Sequence, residues 1–257
     1  MSERDAYQPG VPCWVDTLQP DPRAAMAFYS GVFGWEAEDA GHVEYFVARL
    51  RGRDVAGIAR RPPDAQPVPS WLMYVYVDSA DEVAAAARRA GGTVLAEPFD
   101  VPPAGRMAAL ADPTGAVFCL WEPGTRQGAQ LVNEPGAWSM NMLHTPDPDA
   151  AAAFYGAVFG WTTEDFGPFT MFRLPGYVGG EPYQPVSREV VAVMEPAGDA
   201  PPHWSADFWV PDADAAVAKA IELGGRVVVP QADSPGFRTA VLADPTGVTF
   251  SISQRVR

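Results

Sequence analysis

The stretch "AFYSGVFGW" at residues 27–35 returns almost unchanged as "AFYGAVFGW" at residues 153–161. Seven of the nine letters agree, at an offset of 126 positions. Each version follows an Asp-Pro pair and places apolar residues at the spacing of an amphipathic helix. Asp21 is suited to cap the first helix, with Pro22 in its first turn. The chain therefore encodes the same helix twice.

The repeat continues downstream of this helix. Residues 77–92, "VDSADEVAAAARRAGG", match "VPDADAAVAKAIELGG" at residues 210–225. The segment "ALADPTG" at 109–115 matches "VLADPTG" at 241–247. We therefore expect two copies of one fold, at residues 8–124 and 134–257, joined by a Gly- and Pro-rich linker at 125–133.

Each copy predicts the same order of elements. A strand, the first helix and further strands come before a second helix, which begins at a capping box of Ser79 and Glu82. Gly91-Gly92 and Gly224-Gly225 end the second helices with left-handed backbone. Asp-Pro-Thr-Gly suits a type I turn before the closing strand. The prediction is an α+β protein of four βαβββ units, with Glu122 and Glu195 ending strands at the surface.

Composition excludes several classes of partner. The net charge of −14 disfavours nucleic acid and anionic membrane surfaces. No apolar run is long enough to span a bilayer, and "MSERDAYQPG" lacks the features of a signal peptide. A cytoplasmic protein is expected. Cys13 and Cys119 are the two cysteines, which gives neither a disulfide framework nor a zinc motif.

The ordered motifs "PDPRAAMAFYSGVFGW", Gly-Gly after a helix and Asp-Pro-Thr-Gly resemble the vicinal oxygen chelate superfamily. Its members include glyoxalase I, bleomycin-resistance proteins, extradiol dioxygenases and fosfomycin-resistance enzymes. The Phe-Gly-Trp form and the fused double copy resemble its actinobacterial two-domain, glyoxalase-like or hydroxylase branch. The resemblance covers nearly the whole chain, and it implies paired units whose mixed sheets curl into cups. Family enzymes hold a divalent metal there with His, Gln and Glu.

The metal-ligand positions implied by the resemblance carry other residues here. The first falls on Trp14 and Met140, the second on Leu72 and Ser205, and the third on Cys119 and Ser251. The fourth lies near 54–58 and 190–195, where Asp54 or Glu195 could stand. Because none of the six assigned positions is His, Glu or Gln, we expect no standard metal centre and no cofactor.

Strand alternation predicts the side chains that line the cups. The predicted ligand-binding residues are Trp14, Asp16, Leu72, Tyr74, Tyr76, Cys119, Met140, Met142, His144, Ser205, Asp207, Trp209 and Ser251. Their grouping depends on how the units pair. If unit one pairs with unit four, Asp16 and Asp207 share a cup. If units pair within each copy, the two acids separate, and the sequence leaves both arrangements open.

The candidate catalytic residues are Asp16, Asp207 and His144. His144 has no partner identifiable from sequence, and Cys119 is better explained as a small buried apolar residue than as a nucleophile. His42 is expected in a polar turn, and His203 at a rim before a strand.

Three functions remain open from sequence. The first is a binding protein, similar to the bleomycin-resistance type, for a small aromatic or cationic molecule. The second is a lyase, isomerase or hydroxylase-like oxygenase with a displaced or absent metal site. The third is a regulatory protein that acts through its acidic surface. Because two fused copies imitate a dimer of single modules, the chain is expected to act as a monomer or a homodimer.

Overall fold

The computed structural model describes residues 2–39, 44–63, 70–167, 169–179, 187–234 and 236–256. Over these residues the chain forms four successive units, each with one strand, one helix and three further strands. The predicted α+β architecture of four βαβββ units is confirmed.

The two halves of the chain contain matching elements. The first half contains β1 Pro12–Gln19, α1 Pro22–Phe33, β2 Glu36–Asp39, β3 Tyr45–Leu50, β4 Arg53–Arg60, β5 Leu72–Tyr76, α2 Ala80–Arg89, β6 Thr93–Val101, β7 Gly105–Ala111 and β8 Val117–Pro123. The second half contains β9 Trp138–Thr145, α3 Pro148–Phe159, β10 Thr162–Phe166, β11 Phe169–Arg173, β12 Val190–Pro196, β13 His203–Trp209, α4 Ala213–Glu222, β14 Arg226–Ser234, β15 Phe237–Ala243 and β16 Thr249–Arg255. The sequence repeat is therefore also a structural repeat.

Each half builds its own mixed sheet of eight strands. Sheet one has the order β2-β3-β4-β1-β5-β8-β7-β6, and sheet two has the order β10-β11-β12-β9-β13-β16-β15-β14. The first strands of neighbouring units are antiparallel, β1 with β5 and β9 with β13. Each closing strand lies parallel to the first strand of its own unit. Both sheets stay open and curve into cups.

The first helix of each half begins and ends as its sequence predicts. The Asp21 carboxylate accepts hydrogen bonds from the backbone N–H groups of Arg23 and Ala24, at 3.0 and 3.1 Å. Gly34 follows the helix with a φ of 76°, which glycine adopts without steric cost. Asp147 caps α3 in the same way through Ala150 N–H at 3.0 Å. These caps set where each helix leaves its strand.

The second helices are capped by two residues each. Ser79 Oγ accepts from Glu82 N–H at 3.3 Å, which is the Ser79 half of the predicted capping box. The N–H of Ala80, in the first turn of α2, has no acceptor within the helix and donates to the Glu122 carboxylate at 2.8 Å. Glu122 thus lies near the end of its strand, as predicted, and also ties β8 to α2. Gln254 plays the matching role for Ala213 at 2.9 Å.

The hydrophobic cores cross between the two halves. The α1 helix packs against α4, and α2 packs against α3. In one core Phe33 lies 4.9 Å from Phe208, between ring centroids. In the other, Phe118 lies 5.6 Å from Tyr155. Units therefore share a sheet within a half but share a core across the halves.

The repeated Phe-Tyr and Asp-Pro-Thr-Gly motifs join these crossed units. Tyr29 OH donates to the Asp244 carboxylate at 3.0 Å, and Tyr155 OH donates to the Asp112 carboxylate at 3.1 Å. All four residues are buried. The Trp indoles of Phe-Gly-Trp donate across the same boundary, Trp161 to the Gly10 carbonyl at 2.8 Å. The repeated motifs thus have an architectural role, which explains their near identity.

Within the described residues, none of the helices has the length and apolar character that crossing a bilayer demands.

Candidate functional site

Each cup is formed within one half of the chain. Cup one is the concave face of sheet one, where Trp14 lies opposite Tyr74 and Asp16 opposite Leu72. Cup two is the concave face of sheet two, where Asp207 lies opposite Met140. Asp16 and Asp207 therefore occupy different cups. Of the two pairings that the sequence left open, the structure has the one within each copy.

The predicted cup residues divide between the cups by sheet. The strands of sheet one carry the predicted residues Trp14, Asp16, Leu72, Tyr74, Tyr76 and Cys119. Cup two takes Met140, Met142, His144, Ser205, Asp207, Trp209 and Ser251. Trp209 stands at the far end of β13, where its ring lies 6.2 Å from Phe237 and Arg255 lies over its face. His42 lies outside the described residues.

Cup one is built around the Asp16 carboxylate. Tyr74 OH donates to Asp16 Oδ2 at 2.9 Å, and Tyr45 OH donates to the same oxygen at 3.2 Å. Trp14 Nε1 donates in turn to Tyr45 OH at 2.8 Å. Trp14 and Tyr45 remain partly exposed, whereas Asp16 is only 2% exposed. This aromatic cluster covers the acid and orders one of its two oxygens.

Gly57 makes room for this cluster. It lies directly opposite Asp16 on the parallel strand β4. A Cβ atom built on Gly57 would fall 2.0 Å from Tyr45 OH and 2.9 Å from Asp16 Cβ. The inward position of β4 is thus filled by a side chain that crosses over from β3. Asp54, which the sequence offered for this position, forms ion pairs with Arg49 and Arg126 instead.

The second oxygen of Asp16 has no partner. Asp16 Oδ1 is buried and forms no hydrogen bond among the described residues. Burial raises the pKa of Asp16 to about 7, although the hydrogen bonds from Tyr74 and Tyr45 oppose the rise. A carboxyl group with this pKa exchanges a proton near neutral pH. It can accept a hydrogen bond or donate one at Oδ1.

Cys119 is a thiol at the floor of cup one. It is 1% exposed and lies beside Tyr74 on the neighbouring strand. Burial raises its pKa far above the ordinary value, and the charge of Asp16 adds to the rise. The thiolate is the reactive form of cysteine, so this side chain is inert at neutral pH.

Cup two holds its acid differently. Asp207 accepts hydrogen bonds from Ser253 Oγ at 2.7 Å and from Ser139 Oγ at 2.8 Å, one on each carboxylate oxygen. Burial raises its pKa to about 6, against the effect of those two hydrogen bonds. Both carboxylate oxygens of Asp207 accept a hydrogen bond, whereas Asp16 Oδ1 accepts none among the described residues.

His144 has partners that the sequence did not reveal. Its Nδ1 lies 2.9 Å from the Glu195 carboxylate, and its Nε2 lies 2.9 Å from Ser205 Oγ. His203 stacks on the His144 ring with centroids 4.3 Å apart. Glu195, predicted to end a strand at the surface, does lie near the end of β12, but it also faces His144 in register. The register of three neighbouring strands, β12, β9 and β13, brings these side chains together. Residue spacing within one strand does not reveal that register.

The positions where relatives hold a metal do not fit one here. The six assigned positions that the resemblance implies carry Trp14, Leu72 and Cys119 in cup one and Met140, Ser205 and Ser251 in cup two. Of the residues offered for the fourth position, Asp54 pairs with Arg49 and Glu195 contacts His144. Transition-metal sites in proteins are built mainly from imidazole, carboxylate and thiolate groups, several of which must converge on the ion. Among the described residues, no three His, Cys, Asp or Glu side chains are placed to share an ion.

A family comparison matches both halves of the chain. The glyoxalase-like domain model matches residues 14–121 and 140–253. The chain belongs to the glyoxalase-like domain family. With its structural neighbours, this membership puts it in the vicinal oxygen chelate superfamily, as the resemblance implied.

Relatives of this glyoxalase-like protein span its whole length. CFP32 of Mycobacterium tuberculosis, named as a glyoxylase, is 40% identical over 98% of this chain and 97% of its own. DnrV of Streptomyces peucetius, named as an anthracycline biosynthesis protein, is 36% identical over 96% of this chain and 94% of its own.

Solved structures share the fold at low sequence identity. A Mn(II)-bound glyoxalase from Novosphingobium aromaticivorans matches with a TM-score of 0.67 and 17% identity, over 97% of this chain and 83% of that one. A catechol 2,3-dioxygenase matches with a TM-score of 0.61 and 12% identity, over 98% and 90%. At these identities the likeness concerns the fold alone.

Proposed function

We propose that this glyoxalase-like protein binds a small, flat organic molecule in cup one without a metal ion, with Asp16 as its polar anchor. The observation that carries the proposal is the buried, unpartnered Oδ1 of Asp16 within an aromatic cup. Leaving a buried polar atom without a partner costs about 1–3 kcal/mol. A ligand that donates a hydrogen bond to Oδ1 removes this unfavourable term. The hydrogen bond therefore contributes to affinity and fixes the orientation of the ligand in cup one.

The chemistry of cup one favours an aromatic ligand that carries an O–H, N–H or cationic group. Trp14 and Tyr45 are the partly exposed members of the cluster. Aromatic faces stack on flat rings and attract cations. Because Oδ1 is buried in this state, binding at Asp16 requires that a side chain around Oδ1 move to admit the ligand. The name of DnrV, an anthracycline biosynthesis protein, supports an aromatic natural product as the ligand class.

Titration with an anthracycline, followed by Trp fluorescence and by thermal melting, tests this proposal. Above pH 7, where Asp16 is ionised, Asp16→Asn keeps the shape but removes the charge, and we expect it to weaken binding about 10- to 100-fold, as for a hydrogen bond to a charged group. Asp233→Asn is the matched control, because it removes the same charge from the exposed outer strand of sheet two. Equal weakening by both variants, or stabilisation by Mn²⁺ without the anthracycline, would contradict the proposal.

The second candidate is a lyase, isomerase or oxygenase that works from the same cup. The observation that favours it is the pKa of Asp16, which lies near 7, where a general base works best. An enzyme of this kind loses turnover in Asp16→Asn while ligand affinity stays within a few-fold. A binding protein loses the affinity itself, so one pair of measurements separates the two functions.

A further inference from the structure

The described residues of cup two contain a hydrogen-bonded series that the proposed function does not use. It runs from Ser205 on β13 through His144 on β9 to Glu195 on β12, with both contacts at 2.9 Å. The register places Glu195 opposite His144, and Met142, two residues from His144, opposite Ser205. Three adjacent strands hold the three groups, so the arrangement is rigid.

The partners of the His144 ring determine which ring nitrogen carries the hydrogen. An ionised Glu195 carboxylate can only accept a hydrogen bond, so in that state His144 Nδ1 carries the hydrogen. Nε2 then has a lone pair that can accept the hydroxyl hydrogen of Ser205 at 2.9 Å, and the Met142 carbonyl, at 3.4 Å, is the other acceptor for that hydroxyl. A serine donating to an imidazole that a carboxylate orients is the arrangement that activates serine as a nucleophile.

His144 and Glu195 are the more exposed members of the series, and Ser205 is its buried end. The side chains of His144 and Glu195 are 18% and 30% exposed, and Ser205 is 8% exposed. Met142 on β9 lies opposite Ser205 and is its apolar neighbour, and Met140 lies opposite Asp207. His203 covers one face of the His144 ring and donates Nδ1–H to the Pro201 carbonyl at 2.9 Å.

We propose that Ser205 is a nucleophile for acyl transfer, with His144 as its general base and Glu195 as the residue that positions His144. The substrate class is an activated ester or thioester with an apolar acyl group. This activity is independent of ligand binding in cup one, because its residues all belong to the other sheet.

The proposed reaction is acyl transfer to Ser205 followed by hydrolysis, with water as the co-reactant. Ser205 Oγ forms a bond to the carbonyl carbon while its proton passes to His144 Nε2, and the carbonyl electron pair moves to oxygen. The tetrahedral adduct then expels the alkoxide or thiolate, which takes the proton from His144. Water attacks the acyl-serine by the same route, and release of the carboxylic acid restores Ser205.

The test uses the full chain with two probes, p-nitrophenyl butyrate and a fluorophosphonate. We expect a p-nitrophenolate burst of about one per chain, and a fluorophosphonate adduct that peptide mass spectrometry maps to Ser205. Mapping on the unchanged protein needs no variant to fold. An adduct absent from Ser205, or equally abundant on other serines, overturns the proposal.

Variants then separate the roles. Ser205→Ala should abolish the burst, and His144→Gln should slow it at least about 100-fold. Glu195→Gln should slow it about 10-fold and move the pH profile of the burst, whereas Glu195→Asp should restore part of the rate. Ser234→Ala removes a serine bonded to the Phe237 carbonyl rather than to an imidazole, and should leave the burst unchanged. A pH profile that Glu195→Gln leaves in place overturns the positioning role.

Discussion

The two oxygens of the Asp16 carboxyl group lie in different surroundings. Oδ2 receives hydrogen bonds from two tyrosines, whereas Oδ1 is buried without a partner. Burial therefore dominates over hydrogen bonding, and the neutral acid is the favoured form in the folded chain up to about pH 7. The charge state of this one residue should affect both stability and ligand choice.

Replacing Asp16 by Asn should change how stability depends on pH. The pKa of Asp16 is raised to about 7 in the folded chain, from 3.8, so its contribution to stability is full below pH 4 and declines as pH rises toward 7. Wild type should lose of the order of a few kcal/mol relative to Asp16→Asn across that range. Urea unfolding of both proteins between pH 4 and 8 measures the difference.

Asp207→Asn provides the comparison for this prediction. The pKa of Asp207 is raised only to about 6, so its decline should be smaller and complete about one pH unit earlier. If the wild-type and Asp16→Asn curves ran parallel over the whole range, the Asp16 carboxyl would titrate normally and the prediction would be wrong.

Gly57→Ala should disturb cup one through Tyr45. The new Cβ would lie 2.0 Å from Tyr45 OH and 2.9 Å from Asp16 Cβ, so the tyrosine must leave its place. Overpacking of this kind costs about 1–3 kcal/mol. Trp14 would lose its hydrogen-bond acceptor, so its fluorescence should shift together with the melting temperature. Unchanged Trp emission would show that Tyr45 keeps its position.

Sequence alone predicted some of these residues and missed others for a physical reason. Alternation along β1 correctly placed Trp14 and Asp16 on one face, because the period of two is a local property. Tyr45 and the partners of His144 come from neighbouring strands. Their registers depend on loops and bulges, such as the shift between Ala48 and Arg49. Spacing within one strand carries no information about such neighbours.

At the scale of elements, the tyrosine of each first helix binds the aspartate of the turn from the other half. The two contacts are not equal. Asp244 Oδ2 also accepts a hydrogen bond from Gln19 at 2.7 Å. Tyr155 OH also accepts one from Trp204 Nε1 at 2.8 Å. Removing Tyr155 OH therefore leaves a buried indole N–H without its acceptor.

Tyr155→Phe should consequently destabilise the chain more than Tyr29→Phe. We expect about 2–4 kcal/mol for the first and about 1–2 kcal/mol for the second, from the cost of buried polar groups left unpaired. Tyr76→Phe, whose hydroxyl contacts Gln127 in a partly exposed place, should cost less than about 1 kcal/mol. Denaturant unfolding gives all three values, and equal costs for the two buried tyrosines would refute the proposed inequality.

The elements themselves were predictable because their signals are local. Asp21, Ser79 and the Gly-Gly pairs fix helix ends within a few residues of sequence. The choice between two ways of pairing the units was not predictable. Equivalent strands in the two copies carry similar patterns, so either pairing buries an apolar face. In the structure, the two units of one half share a sheet, and each unit shares a hydrophobic core with a unit of the other half.

At the scale of the whole molecule, this crossed arrangement makes the halves depend on each other. The face of α1 with Phe28 and Phe33 packs against Phe208 and Phe250 of the second half. Residues 1–124 alone would leave that face exposed to water, at a cost of about 25 cal/mol for each Å² of apolar surface.

We therefore expect residues 1–124 and 134–257, produced separately, to lack stable tertiary structure. Mixing the two fragments should restore the near-ultraviolet circular dichroism of the intact chain. Cooperative thermal unfolding of either fragment by itself would contradict this prediction, since it would show a core complete within one half.

The crossed packing also leaves the two concave surfaces free to diverge. A mutation in a shared core must suit both halves, because side chains such as Phe33 and Phe208 contact each other across it. The strands of each concave face belong to one half of the chain. After duplication, cup one could thus acquire an acid covered by aromatic side chains, and cup two a series of serine, histidine and glutamate. Neither change alters the cores that the two halves share.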